Sequence, residues 1–211
     1  MFGIINYETF LIAAILLNVT PGSDTLYILG QSIGNGKKAG ILSALGISTG
    51  AIIHIVLATF GLSVILAESV LAFNIVKYCG AAYLIFLGIK SLRVRKPSFP
   101  VKNSTILENS SDKKTFVSGI LTNLFNPKVA LFFLAFLPQF INVNYHNTTL
   151  SFFLLGITFL CTGTIWCIIL ALYASKLSSK FRQNPKIKVW LDRFSGTVFI
   201  ALGIKLALLK R

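Results

Sequence analysis

Two stretches of this chain place a proline, small polar residues and a charge inside an apolar run: Asn18-Val19-Thr20-Pro21-Gly22-Ser23-Asp24 and Asn123-Leu124-Phe125-Asn126-Pro127-Lys128. Pro21 has no N–H, so the carbonyl of Leu17 loses its helical partner, and Pro127 does the same to Asn123. Gly22 permits the backbone excursion that such a break needs. The half-helix after each break begins with unpaired N–H groups and a positive dipole end, which suits a carboxylate. The freed carbonyls suit an ammonium or another cation. A zwitterionic amino acid carries both groups, so the chemistry matches a site type without choosing an occupant.

The candidate binding residues are therefore Asn18, Thr20, Pro21, Gly22, Ser23 and Asp24 at the first break, with Asn123, Asn126, Pro127 and Lys128 at the second. An ionisable group at membrane depth costs about 2.5–3.5 kcal/mol on insertion scales and is read as functional by default. Asp24 then binds a substrate amine or takes up a proton; the plainer reading is that Ser23 and Asp24 cap the second half-helix. Lys128 anchors a carboxylate, pairs with Asp24, or only neutralises the dipole of the half-helix upstream. His54 follows Gly46-Ile47-Ser48-Thr49-Gly50, small residues that let helices approach closely. Its imidazole titrates near neutral pH, so it joins Asp24 as a candidate proton relay or else serves packing alone. Phe136-Leu137-Pro138-Gln139-Phe140 forms an external gate or a plain helix end.

The elements that must position these groups follow from composition. Of 211 residues, 55% are hydrophobic and 12% charged, with mean hydropathy +0.77. Soluble domains carry about 25% charged residues, so a water-soluble surface cannot be assembled here. Six apolar runs are long enough to cross a hydrocarbon core about 30 Å thick: 6–34 (broken), 40–66, 70–92, 115–140 (broken), 148–173 and 191–209. No basic segment precedes the first run and no A-x-A-like site follows it, so it reads as a retained helix. The fold class expected is an all-α membrane protein of six transmembrane helices. Residues 1–92 form a first three-helix repeat, 93–114 a cytoplasmic linker and 115–211 a second repeat.

The net charge of +14 suggests nucleic acid until its placement is considered. Basic residues gather in the first connection (Lys37, Lys38), the third (Arg93 to Lys114) and the fifth (Lys176 to Lys188), while the second and fourth hold none. The positive-inside rule puts those three connections in the cytoplasm and both termini outside. A basic face against anionic lipid then explains the charge without nucleic acid. Leu87-Gly88-Ile89-Lys90 recurs as Leu202-Gly203-Ile204-Lys205, and aligning the two strings sets small residues against small residues upstream. Three spans per half imply halves of opposite sense, a 3+3 inverted repeat with broken helices one and four facing each other at mid-membrane.

In their order along nearly the whole chain, these motifs resemble the LysE/RhtB amino-acid exporters. Asn18 to Leu26 is similar to that family's first-helix signature, and Gly46-x3-Gly50-x3-His54 with Gly61-Leu62 to its second helix. Gly80-Ala81-Ala82-Tyr83-Leu84 with Leu87-Gly88 resembles the third helix, and Asn126-Pro127-Lys128 with Leu137-Pro138-Gln139-Phe140 the fourth. Ser23 stands where many members have a second proline, which softens the first break. The pattern is closer to the homoserine/threonine-exporter branch than to the lysine-exporter branch. The resemblance implies proton-driven efflux of amino acids or close derivatives across a bacterial cytoplasmic membrane, by alternating access at a midplane site. Its partners are then substrate, protons and membrane lipid; no cofactor is implied, and a homo-oligomer is left open.

Other classes fit less well. A divalent-metal exporter wants clustered His, Cys or carboxylate ligands, and the chain has two histidines, His54 and His146. Cys79, Cys161 and Cys167 all fall within spans and read as small buried hydrophobes. No nucleophile–base grouping suggests an intramembrane enzyme. A purely structural membrane protein has no use for buried charge in broken helices.

Overall fold

The computed structural model describes residues 2–62, 70–93, 111–142, 145–183 and 185–208. Eight α-helices are found there: α1 (Tyr7–Val19), α2 (Ser23–Gly34), α3 (Gly36–Leu57), α4 (Val70–Leu92), α5 (Asp112–Leu124), α6 (Pro127–Leu131), α7 (Thr148–Gln183) and α8 (Pro185–Ala207). A π-helical turn at Ala58–Leu62 extends α3. Beyond α6 the chain continues as a π-helical turn, Phe132–Phe136, and a 3₁₀ turn, Leu137–Phe140.

Both proline-containing segments break where expected. A residue preceding proline is pushed out of the helical region. Thr20 accordingly sits at φ −61°, ψ 122° and Asn126 at φ −76°, ψ 107°. The half-helices meet at 46° at the first break and at 45° at the second. Pro127 occupies the first position of α6, where its missing N–H is no loss.

By length and composition Gly36–Gly61 and Thr148–Ala174 can each cross a membrane, with mean hydropathies of 2.1 and 2.2. Counting each bent pair as one span gives four among the described residues. At about 1.5 Å per residue, the 26 residues of Gly36–Gly61 reach about 39 Å, beyond the hydrocarbon thickness. Ile12, Leu57, Phe60, Leu71 and Ile165 are among the large apolar side chains that point outward. This is a multi-pass membrane protein.

Two cores lie inside. One is rich in phenylalanine: Phe10, Phe132, Phe133, Phe136, Phe140 and Phe159 pack with ring centroids mostly 4.8–6.0 Å apart. The other is aliphatic, built on Ile28, Leu29, Ala44, Ile47, Leu170 and Ala171. It lies toward the end where Lys38 pairs with Asp112 across the starts of α3 and α5. At the phenylalanine end a strap formed by residues 2–6 is pinned down. Ile5 N–H donates to Phe140 O at 2.9 Å, Asn142 N–H to Gly3 O at 2.8 Å, and Ser151 Oγ to Phe2 O at 2.6 Å. Ile4 and Ile141 form an isolated antiparallel bridge there.

Glycines set the closest helix approaches. A Cβ on Gly50 would lie 2.8 Å from Asn123 Cβ, and one on Gly119 would lie 2.8 Å from Ser43 O, so α3 and α5 touch backbone to backbone. On α4 and α8, Gly88 meets Gly196 and Ile200, while Gly203 meets Ala81 and Ile85. Residue number rises on one helix as it falls on the other, so α4 and α8 run antiparallel.

Three expectations need adjustment. Lys37 and Lys38 lie in the first turn of α3 rather than in a loop, because Gly36, at φ 85°, turns the chain directly from α2 into α3. The fifth connection is helical: α7 runs on to Gln183 past an irregular residue, Tyr173 (φ −108°, ψ 15°), and α8 starts at Pro185, upstream of the expected 191. The expected boundary at 173 marks that kink rather than a helix end. Most of the 93–114 linker, residues 63–66 of the second run and residue 209 of the sixth lie outside the described residues.

Candidate functional site

The two breaks face each other between the two cores. Leu17 O, the carbonyl that Pro21 deprives of its helical donor, accepts from Lys128 Nζ at 2.8 Å. Thr20 O accepts from the same ammonium at 2.9 Å. A cation from the second break thus sits on the negative end of α1. In return, Asp24 in the first turn of α2 reaches across to the second break. Its Oδ2 accepts from Asn123 Nδ2 at 2.8 Å and its Oδ1 from Asn126 Nδ2 at 3.0 Å. Asn126 also caps α6, its Oδ1 accepting from Lys128 N–H at 3.0 Å.

This geometry shows which partners these groups take. Gly22, not Ser23 or Asp24, is the N-cap of α2. The Asp24 carboxylate is held by amides of the other half instead. Lys128 and Asp24 are not paired: among the described residues the one ion pair is Lys38–Asp112. Two opposite charges, each satisfied separately, therefore border the same space. Isolated buried charges are tolerable only with such hydrogen bonding.

The carbonyl freed by Pro127 also meets a titratable group, for Asn123 O lies 3.3 Å from His54 Nε2. His54 is buried, with its ring stacked on Phe133 at 5.8 Å. Asn123 links it to Asp24, its carbonyl contacting the imidazole and its side chain holding the carboxylate.

A cavity of about 40 Å³ lies between the breaks. Of the residues expected at the site, Asn18, Asp24, Asn123 and Lys128 line it. Thr20 and Asn126 are buried behind them as braces, and Pro21, Gly22 and Pro127 shape the backbone. Ser23 is exposed, with a 3.4 Å contact to Asp24 Oδ1. Asn18 Nδ2 donates to Thr162 Oγ1 at 3.1 Å, tying the first break to α7. By the volume one water needs, the cavity holds about three waters, so a larger solute enters only if the walls move.

The sequence reading missed the wall supplied by α7. Phe159, Leu160, Gly163, Thr164, Trp166 and Cys167 all border the cavity, and Thr164 Oγ1 meets Ser48 Oγ of α3 at 2.8 Å. The run Thr162-Gly163-Thr164 inside an otherwise apolar span was the available signal. Among the described residues no three His, Cys, Asp or Glu side chains stand close enough to hold a metal ion.

Broken membrane helices that exchange charged side chains across a buried cavity define a carrier-type membrane protein. The chain belongs to the LysE type translocator family, whose model matches residues 15–210. It is 33% identical over 202 residues to an uncharacterized membrane protein of Bacillus subtilis, YrhP, covering 92% of this chain and 95% of that one. It is 31% identical to a leucine efflux protein of Salmonella typhimurium, over 99% of this chain and 98% of the relative. The leucine efflux protein of Klebsiella pneumoniae is 30% identical with the same coverage. No solved structure matches the chain.

Proposed function

We propose that this protein exports amino acids, neutral aliphatic ones among them, across a bacterial cytoplasmic membrane by proton-coupled alternating access. The observation that carries this reading is the pair of opposite charges, Asp24 and Lys128, held apart on proline-opened helix ends around one cavity. An α-amino acid presents the complementary pair, its ammonium toward Asp24 and its carboxylate toward Lys128. Apolar neighbours such as Leu17, Ile47 and Phe159 suit an uncharged side chain, and the leucine efflux relatives agree with that choice.

In this reading the six runs are six spans in a 3+3 inverted repeat. The α4–α8 contacts support it. In the register of the two LGIK strings, Ala81, Ile85 and Gly88 correspond to Gly196, Ile200 and Gly203. Gly88 packs on Gly196 and Ile200, and Gly203 packs on Ala81 and Ile85. Each contact thus has its counterpart with the halves exchanged, as a two-fold axis requires. The breaks follow suit: Asn123 packs on Gly50 of α3, and Asn18 on Gly163 of α7. The basic end is cytoplasmic and both termini are outside.

Transport then runs as follows. Substrate enters from the basic end, and its ammonium shares Asp24 with the two asparagine amides. Protonation of Asp24 from outside, with His54 beside the second break as a relay, removes the charge that holds the amine. Substrate leaves and the proton continues inward. The test is radiolabelled leucine efflux from cells with and without the protein, then counterflow in proteoliposomes. Asp24→Asn is expected to lower gradient-driven export at least tenfold. Asp24→Asn with unchanged proton coupling would sink its role.

A further inference from the structure

A buried polar atom with no partner costs about 1–3 kcal/mol and asks for an explanation. Two such atoms, Trp166 Nε1 and Asn123 Oδ1, belong to residues that line the cavity. The indole nitrogen can only donate. The orientation of the Asn123 amide is fixed, because a carboxylate only accepts and Asp24 takes its Nδ2. Its Oδ1 is therefore an acceptor. One uncommitted donor and one uncommitted acceptor, both closed off from water, thus belong to side chains that line the same cavity as a cation and an anion.

We propose that Trp166 is a substrate-recognition residue, its indole N–H donating to the carboxylate of the exported amino acid while Asn123 Oδ1 accepts from the ammonium. This rests on the amino-acid export reading and adds the group that reads the carboxylate. Lys128 is already engaged by the carbonyls of Leu17 and Thr20, so it supplies charge but little direction. The fixed indole supplies direction, since a hydrogen bond weakens steeply away from linearity. Substrates lacking a carboxylate leave the indole unpaired and are disfavoured, as in other sites built around a polar group. Ile47, Ala51, Val129 and Leu160 leave the side-chain end of the space apolar.

The chain has two tryptophans, and Trp190 is an exposed residue stacked on Phe194, away from the cavity. Trp190→Phe thus leaves Trp166 as the sole indole reporter. In detergent, L-leucine should change its emission saturably, and leucinamide, which keeps the ammonium and side chain, should do so at least tenfold less effectively. Trp166→Phe keeps the ring but loses the donor. It should raise the KM for leucine export about tenfold, with a smaller change in kcat, and narrow the preference for leucine over leucinamide. If the Trp190→Phe protein exports leucine yet gives no saturable emission change, the proposal is overturned. An unchanged KM in Trp166→Phe, or equal losses for leucine and leucinamide, overturns it too while leaving export intact. Absence of amino-acid export by the unmodified protein would instead remove the reading beneath it.

Discussion

Lys128 is supplied by one half of the chain to the negative end of α1 in the other, while Asp24, in the first turn of its own half-helix α2, is held by two amides of the opposite half. The ammonium replaces a hydrogen-bond donor that proline removed; the carboxylate collects amides that would otherwise lack an acceptor. Lys128→Met keeps a long apolar stem and deletes the ammonium, stranding the carbonyls of Leu17 and Thr20 at about 1–3 kcal/mol each. The expected result is a lower melting temperature in detergent and leucine export below a tenth of normal. Export at the normal rate would show that the ammonium serves neither the site nor the break. Both freed carbonyls were legible in the sequence, because a missing N–H is a property of proline itself. The groups that take them were not, since Lys128 lies 111 residues from Leu17 and His54 69 from Asn123.

At the scale of elements, glycine decides where helices can touch. Gly88 and Gly203 lie at an interface where any Cβ would come within 2.6 Å and 2.9 Å of a facing backbone oxygen, closer than packed atoms stand. Overpacking of this kind costs about 1–3 kcal/mol. Gly88→Val and Gly203→Val should therefore lower the melting temperature by similar amounts, because they disturb equivalent contacts. Gly30→Ala, where nothing lies within 4 Å, should be neutral or stabilising by up to about 1 kcal/mol. A large drop from only one of the two valine variants would argue against equivalence of the halves. The LGIK strings showed that small residues recur at matching places in the two halves, but that α4 and α8 pack on each other through them was not read from the sequence. The wall formed by α7 escaped notice because its span is unbroken and carries no charge, and only packing against the breaks gives Thr164 and Trp166 a role.

Across the whole molecule, a small cavity, mostly apolar but bordered by Asp24 and Lys128, separates two unlike cores. The phenylalanine core with its strap closes one end, and the aliphatic core, where Tyr27 Oη donates to Thr115 O at 2.8 Å, closes the other. With room for about three waters, admission of a substrate requires one end to open. The strap is the least embedded part of its end, held by a few backbone hydrogen bonds. Residues in an antiparallel bridge have Cα atoms about 4.5–5.5 Å apart, within disulfide range. Ile4→Cys with Ile141→Cys, in a chain whose exposed Cys79 and Cys161 are replaced by serine, should stop export under oxidant and recover with reductant. Undiminished export by the oxidised protein would remove the strap from the moving gate.

Sequence alone determined the membrane class, the two breaks, the freed carbonyls and the residues that carry charge beside them. Those follow from local chemistry: proline lacks a donor, apolar runs demand lipid, and an ionised group in such a run demands a reason. Tertiary structure decided the partnerships. It separated Asp24 from Lys128, gave the carboxylate to two asparagines and the ammonium to a helix end, and left the buried indole N–H of Trp166 without a partner. The connections near Lys37 and after Tyr173 also proved helical, because polar residues propagate a helix already nucleated by its apolar neighbours. Such pairings depend on how distant helices cross, and that is fixed by close packing across the fold, where no single stretch of chain holds the information.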